Sequence, residues 1–179
     1  LGLFAIRGAK VKLLPHDNKS EFQVVIDTKE GTTLEQTAAL ARDITDRLAK
    51  ESVVRDLQVY VGTSGQINFN GLVRHYFLRQ GPNVADIQVN LLEKHERSEK
   101  SHEIARRLRP EIKAIADRYD AVAIVAEVPP GPPVWSTMLA EIYGPNLEGQ
   151  RKLAGQVKQV FEQAEGVVDV DWWVENPQA

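Results

Sequence analysis

The chain has 179 residues, 42% hydrophobic and 26% charged, an ordinary globular composition with enough apolar side chains to fill a core and room for one or two domains. Its 22 Lys and Arg against 25 Asp and Glu give a formal net charge of −3, with the basic residues dispersed instead of gathered in a stripe, which argues against nucleic acid as a partner. It has no cysteine, so disulfides, thiolate chemistry and CxxC metal capture are excluded.

The first residue is Leu1 and the only methionine is Met138, so the segment is expected to belong to something larger. Residues 1–6 (LGLFAI) are apolar but stop at Arg7. A membrane span needs about 20 apolar residues. Residues 1–15 are therefore either the last turn or two of such a helix with its linker, or a buried strand or a frayed terminus.

Phe22, Val24 and Ile26 alternate with Gln23, Val25 and Asp27, the period of a strand with one apolar face, ended by Gly31. Thr32 stands three residues before Glu35, the capping-box spacing. Leu34, Ala38, Ala41, Ile44 and Leu48 then recur at helical spacing to about Lys50. A second strand is predicted over 53–61, where Leu57, Val59 and Val61 alternate with Gln58 and Tyr60. A turn-rich stretch, 62–71, follows.

Alternation returns over 84–92 through Ile87, Val89 and Leu91. A charged helix is predicted from about 98 to 119 with Ile104, Leu108, Ile112, Ile115 and Tyr119 inward, kinked at Pro110 because proline lacks an amide proton. Residues 121–128 are almost continuously apolar, which predicts a strand buried on both faces or at the sheet centre. Strand, helix, strand, strand, helix, strand is the ferredoxin-like split pattern, an α+β fold, with both helices expected on a single face of the sheet.

The pattern then restarts, with a strand predicted over 138–143, a helix over 148–164 with Leu153, Val157, Val160, Phe161 and Ala164 inward, and a strand over 167–174. EGVVDVDWWV after the second helix echoes ESVVRDLQVYV after the first. The chain thus reads as one complete ferredoxin-like unit, 16–128, a hinge, 129–136, and a partial second unit, 137–179. That second unit should leave strand edges, Trp172 and Trp173 without their usual cover.

Few residues suggest chemistry. His16, His75, His95 and His102 form no HExxH and no close pair, and read as solvated surface groups instead of metal ligands. Asp169 and Asp171 would share one face of a strand, as two catalytic carboxylates or as a solvent-facing edge. No nucleophile triad or general acid partner accompanies them, so no enzyme and no cofactor is implied. The loop VGTSGQINFNG contains Gly62, Gly65 and Gly71 but runs into no Lys-bearing helix start, which argues against a phosphate cradle. It reads either as a mobile loop offering Phe69 between Asn68 and Asn70 to amphiphilic molecules, or as a long hairpin connection. EVPPGPPVW is an extended spacer or, more sharply, a ligand for proline-binding modules.

Four segments in this order, LLPHDNKSEFQVVIDTKEGTTLEQT (13–37), YVGTSGQINFNGLVRHYFLRQGPNVADIQVNL (60–91), EVPPGPPV (127–134) and AEIYGPN (140–146), resemble the second large periplasmic loop of resistance–nodulation–division (RND) permeases. The resemblance spans nearly the whole chain. It implies a fragment of a proton-driven efflux transporter of the inner membrane, with this segment in the periplasm. It further implies a homotrimer that passes amphiphilic drugs, dyes, detergents or lipids to a periplasmic adaptor and an outer-membrane channel. Residues 62–71 line up with the family's switch loop, so Phe69 is the expected substrate contact, supported by Tyr60, Asn68, Asn70 and Leu72, with Gly62, Gly65 and Gly71 supplying freedom. The heavy-metal branch uses methionines in this cleft, and Met138 alone disfavours metal export. A reading of a different class is a regulatory module that binds small molecules with tandem ferredoxin-like units.

Overall fold

The computed structural model describes residues 18–66, 71, 73, 75–127, 136, 138–170 and 172. Its elements are β1 (Glu21–Asp27), α1 (Leu34–Leu48), β2 (Val54–Thr63), a short 3₁₀ turn (Tyr76–Leu78), β3 (Gln80–Leu91), α2 (Ser101–Asp117), β4 (Val122–Ala126) and α3 (Leu147–Gln163). The four strands form one antiparallel sheet in the order β2-β3-β1-β4. This is the ferredoxin-like split β-α-β arrangement, and the fold is α+β.

Register decides which side chains meet. Phe22, Val24 and Ile26 of β1 stand opposite Val89, Ile87 and Ala85 of β3, and all six are buried in one cluster. Leu40, Ala41, Ile44 and Leu48 of α1 and Ile104, Ala105, Leu108 and Ile112 of α2 close it with no exposure at all. Both helices therefore cover the same face and touch each other. The periodicity of α1 holds with two adjustments: Leu34 is 44% exposed at the first turn, and Leu40 takes an inward place.

The capping box is shifted by one residue. Thr33, extended at φ −74 and ψ 156, accepts from the Gln36 amide at 3.4 Å, and the Gln36 side chain accepts from the Thr33 amide at 3.2 Å. Helix α2 begins at Ser101, later than 98, with Lys100 extended at φ −75 and ψ 152 as its N-cap. It runs through Pro110, which faces solvent where a missing amide bond costs least. Tyr119 lies beyond the helix end, and its hydroxyl donates to Asp43 Oδ2 at 2.7 Å, a bond that raises the phenol pKa.

Two expectations are corrected. β4 is an edge strand paired only with β1, and Val122 is 53% exposed, so its apolar run does not mark the sheet centre. The strands expected at 138–143 and 167–174 are absent among the described residues; Met138, Leu139 and Tyr143 are exposed, and no strand lies beside them to supply hydrogen bonds. The helix between them forms as α3, capped by Asn146 accepting from the Gly149 amide at 2.7 Å, but it has no fully buried residue. Leu153 and Val160 remain exposed, while Trp172 packs beside Gly155 with the Lys158 ammonium 5.1 Å from its ring centroid. The leading segment 1–15, Trp173 and all of the hinge except Ser136 lie outside the described residues.

Two arginine-centred features tie the elements together. Arg97, almost fully buried, donates to the carbonyls of Leu92, Glu99 and Lys19 and to Asn18 Oδ1, which also accepts from the first amide of α2 at 2.9 Å. Across the two helices, Glu99, Arg107, Glu51, Arg47 and Glu111 alternate in sign as a chain of ion pairs. Within it the hydrogen bond from Arg107, joined by that from Arg47, holds the Glu51 carboxyl below its ordinary value despite partial burial.

Replacing Ile44 or Leu108 by Ala should cost about 2–5 kcal/mol in chemical denaturation, whereas Val59→Ala on the edge strand should cost far less. The depressed Glu51 value has a definite sign. Its stabilisation is fully present above the ordinary glutamate pKa and is lost as pH falls through the lower folded value. Glu51→Gln should flatten the acid limb of a stability curve measured between about pH 6 and pH 2, and an unchanged limb would remove Glu51 from the acid response.

Candidate functional site

The sheet face opposite the helices carries the alternate residues of each strand. Tyr60 stands across from Asp86, Gln58 from Gln88, and Gln88 from Gln23. These polar groups are not solvated: Gln23, Gln88 and Asp86 are buried, and Asp86 has no exposure. They satisfy one another, with Gln88 Nε2 donating to Glu21 Oε2 at 3.0 Å and the Tyr60 hydroxyl donating to Gln58 Oε1 at 2.9 Å.

The stretch after β2 returns onto this face. Ser64, Gly65, Gln66, Gly71, Tyr76 and Phe77 enclose with Gln23 and Asp86 a space of about 10 Å³, room for roughly one water. Its two ends meet at one carboxylate. Asp86 Oδ2 accepts from the Gly65 amide at 2.6 Å and from Gln23 Nε2 at 3.1 Å, and Oδ1 accepts from Arg79 Nη1. Arg79 Nη2 also donates to the Ile26 carbonyl at 2.6 Å and to Asp27 Oδ1 at 2.7 Å. Burial pulls the Arg79 guanidinium toward neutrality, but the Asp27 and Asp86 carboxylates outweigh it and raise its pKa.

The glycines have distinct reasons. Gly62 sits at φ +79, where a Cβ would also meet Leu34 Cδ1 at 2.9 Å. Gly65 is needed for space: a Cβ there would stand 3.3 Å from both Asp86 Cβ and Gln23 Nε2. In this arrangement the Gly65 amide is held by Asp86 Oδ2. Gly71 is buried in the wall of the small space.

Of the expected site residues, Tyr60, Gly65 and Gly71 lie on or beside the open face, whereas a Cβ on Gly62 would point toward Leu34 of α1 on the other side. Asn68, Phe69, Asn70 and Leu72 lie outside the described residues. Sequence reasoning missed Asp86, Arg79 and Gln23. The available signal was Asp86 itself, a carboxylate among neutral amides (Gln88, Asn90) on the polar side of β3, beside a glycine-rich loop.

The other candidates separate. His102 Nδ1 lies 3.0 Å from Glu127 Oε2, and His75 sets its ring edge-on to Phe77 at 6.1 Å, so neither is simply solvated. Asp169 accepts from Arg109 Nε at 2.7 Å instead of facing solvent on a strand, and Asp171 lies outside the described residues. Among the described residues no cluster of three or more His, Asp or Glu could hold a metal ion.

The sequence pattern of the AcrB/AcrD/AcrF family matches residues 4–178, nearly the whole chain. The chain belongs to this family. Its members are RND permeases, which are transporters and not enzymes. Compared with individually curated proteins, the chain has no match. No helix among the described residues is long and apolar enough to cross a membrane.

Gly65→Val should destabilise the fold by about 1–3 kcal/mol through overpacking against Asp86. Gly155→Ala, whose Cβ would meet only Trp172 at 3.9 Å, should be neutral or slightly stabilising in α3. Thermal melting of both variants checks the contrast, and equal effects would refute the close-approach role of Gly65.

Proposed function

We propose that the chain is part of the periplasmic porter region of a proton-driven efflux transporter and that residues 62–72 line the route of amphiphilic substrates. The observation that carries this reading is family membership across residues 4–178. It favours the transporter over a free-standing regulatory module. The geometry supports it further, because the base of the loop is fixed to the open face while Tyr60 stands on that same face.

In this proposal Phe69 supplies aromatic contact area and Asn68 and Asn70 supply adaptable hydrogen bonding, with Tyr60 and Leu72 alongside. Residues 16–128 form the first porter unit and 137–179 the beginning of a second, joined by the proline-rich hinge 129–136. The full transporter sits in the inner membrane as a homotrimer and hands its cargo to an adaptor and an outer-membrane channel. Proton coupling in this family rests on charged residues inside membrane helices, so the contribution assigned to this chain is to the substrate path. A soft-metal cargo is disfavoured because Met138, exposed and remote in sequence from the loop, is the only thioether.

Phe69→Ala in the full-length transporter removes aromatic area worth about 1–3 kcal/mol when buried against a ligand, a roughly 5- to 150-fold loss in binding. Export of substrates that use the ring should fall while others persist, measured as resistance across a panel of amphiphilic drugs and dyes at matched membrane levels. An unchanged profile across the whole panel would reject the contact.

A further inference from the structure

The Asp86 carboxylate receives donors from both flanks of the 66–78 segment, Gly65 on one oxygen and Arg79 on the other. These could be two independent local bonds, each filling a buried acceptor. The geometry argues otherwise. The two oxygens of a carboxylate are rigidly joined, so rotation that releases Oδ1 from Arg79 swings Oδ2 away from Gly65. Arg79 is itself fixed through its second nitrogen by the Ile26 carbonyl and Asp27, so it sets the plane of Asp86 from outside. Gly65 leaves no slack, since even a Cβ would press on Asp86 and Gln23.

We propose that Asp86 is a positioning residue that couples the two ends of this segment, so that Gly65 and Arg79 hold or release the sheet face together. Its consequence for transport rests on the reading that the segment lines the substrate route. In that setting the clamp fixes where the segment starts and ends, and sets which substrates fit against it.

The test uses the full-length transporter and compares Arg79→Met, Arg79→Lys and Asp86→Asn by hydrogen exchange. Arg79 shares no described hydrogen bond with the Gly65 amide, but Ser64 Oγ donating to the Phe77 carbonyl at 3.5 Å also links the two flanks, so the comparison with Asp86→Asn singles out the route through Asp86. Arg79→Met should speed exchange of the Gly65 amide about ten-fold while amides of β1 keep their protection, and Arg79→Lys should recover part of it. Adding Arg79→Met to Asp86→Asn should bring no further acceleration. The clamp is overturned if Arg79→Met leaves Gly65 as protected as in the parent, or if acceleration spreads equally to β1 as general loosening would. Should Asp86→Asn fail to reach the membrane, the two Arg79 variants decide alone.

Export of the drug and dye panel separates this from the substrate-route reading. A coupled exchange response with unaltered substrate ranking in both the Arg79 variants and Phe69→Ala upholds the clamp and sinks the route. Altered ranking in Phe69→Ala with no response of Gly65 to Arg79→Met sinks the clamp and leaves the route standing.

Discussion

A carboxylate removed from water is tolerated only where donors replace the water it loses. At Asp86 those donors come from an adjacent strand, the start of a loop and its end, so one desolvated group gathers Gln23, Gly65 and Arg79 around the middle of the sheet. β3 lies between β2 and β1, which puts this point where neighbouring strands shield it on both sides. Satisfying it requires the segment after β2 to turn back over the face, and the demand for space at Gly65 follows from the same packing.

The two faces of the sheet therefore obey different physics. The helix side is an apolar cluster in which shape and volume decide, and conservative exchanges cost in proportion to the space they leave. The loop side is a polar network in which partners are particular, because each buried donor or acceptor lost leaves another unpaired. A surface that must keep a loop in one place gains more from the second kind of contact than from the first.

Much of the fold was legible in the sequence, since amphipathic elements announce their period: Phe22, Val24 and Ile26 in β1, Ile44 and Leu48 in α1, Ile104, Leu108 and Ile112 in α2. What failed were features that depend on neighbours. An unbroken apolar run marks β4 as a strand but cannot count the strands beside it. Thr32 with Glu35 and Thr33 with Gln36 fit the same capping spacing, and only backbone geometry chooses between them. Among the described residues of 138–143 and 167–174, alternation gives no strand. The candidate site was half legible. Glycines and an aromatic flagged the loop, but Asp86, Arg79 and Gln23 each looked like ordinary polar residues, because their meaning lies in contacts across distant parts of the chain.

Arg97 has a mechanical implication. Its guanidinium gathers the backbone at Lys19, the Asn18 side chain and the turn that leads into α2, and Asn18 in turn holds the first amide of that helix. A pull on the chain ahead of residue 18 would thus be shared at once between β1 and the start of α2. Tension arriving there would tend to displace strand and helix as one body, whereas peeling β1 from its sheet would first require drawing a buried cation out of four hydrogen bonds.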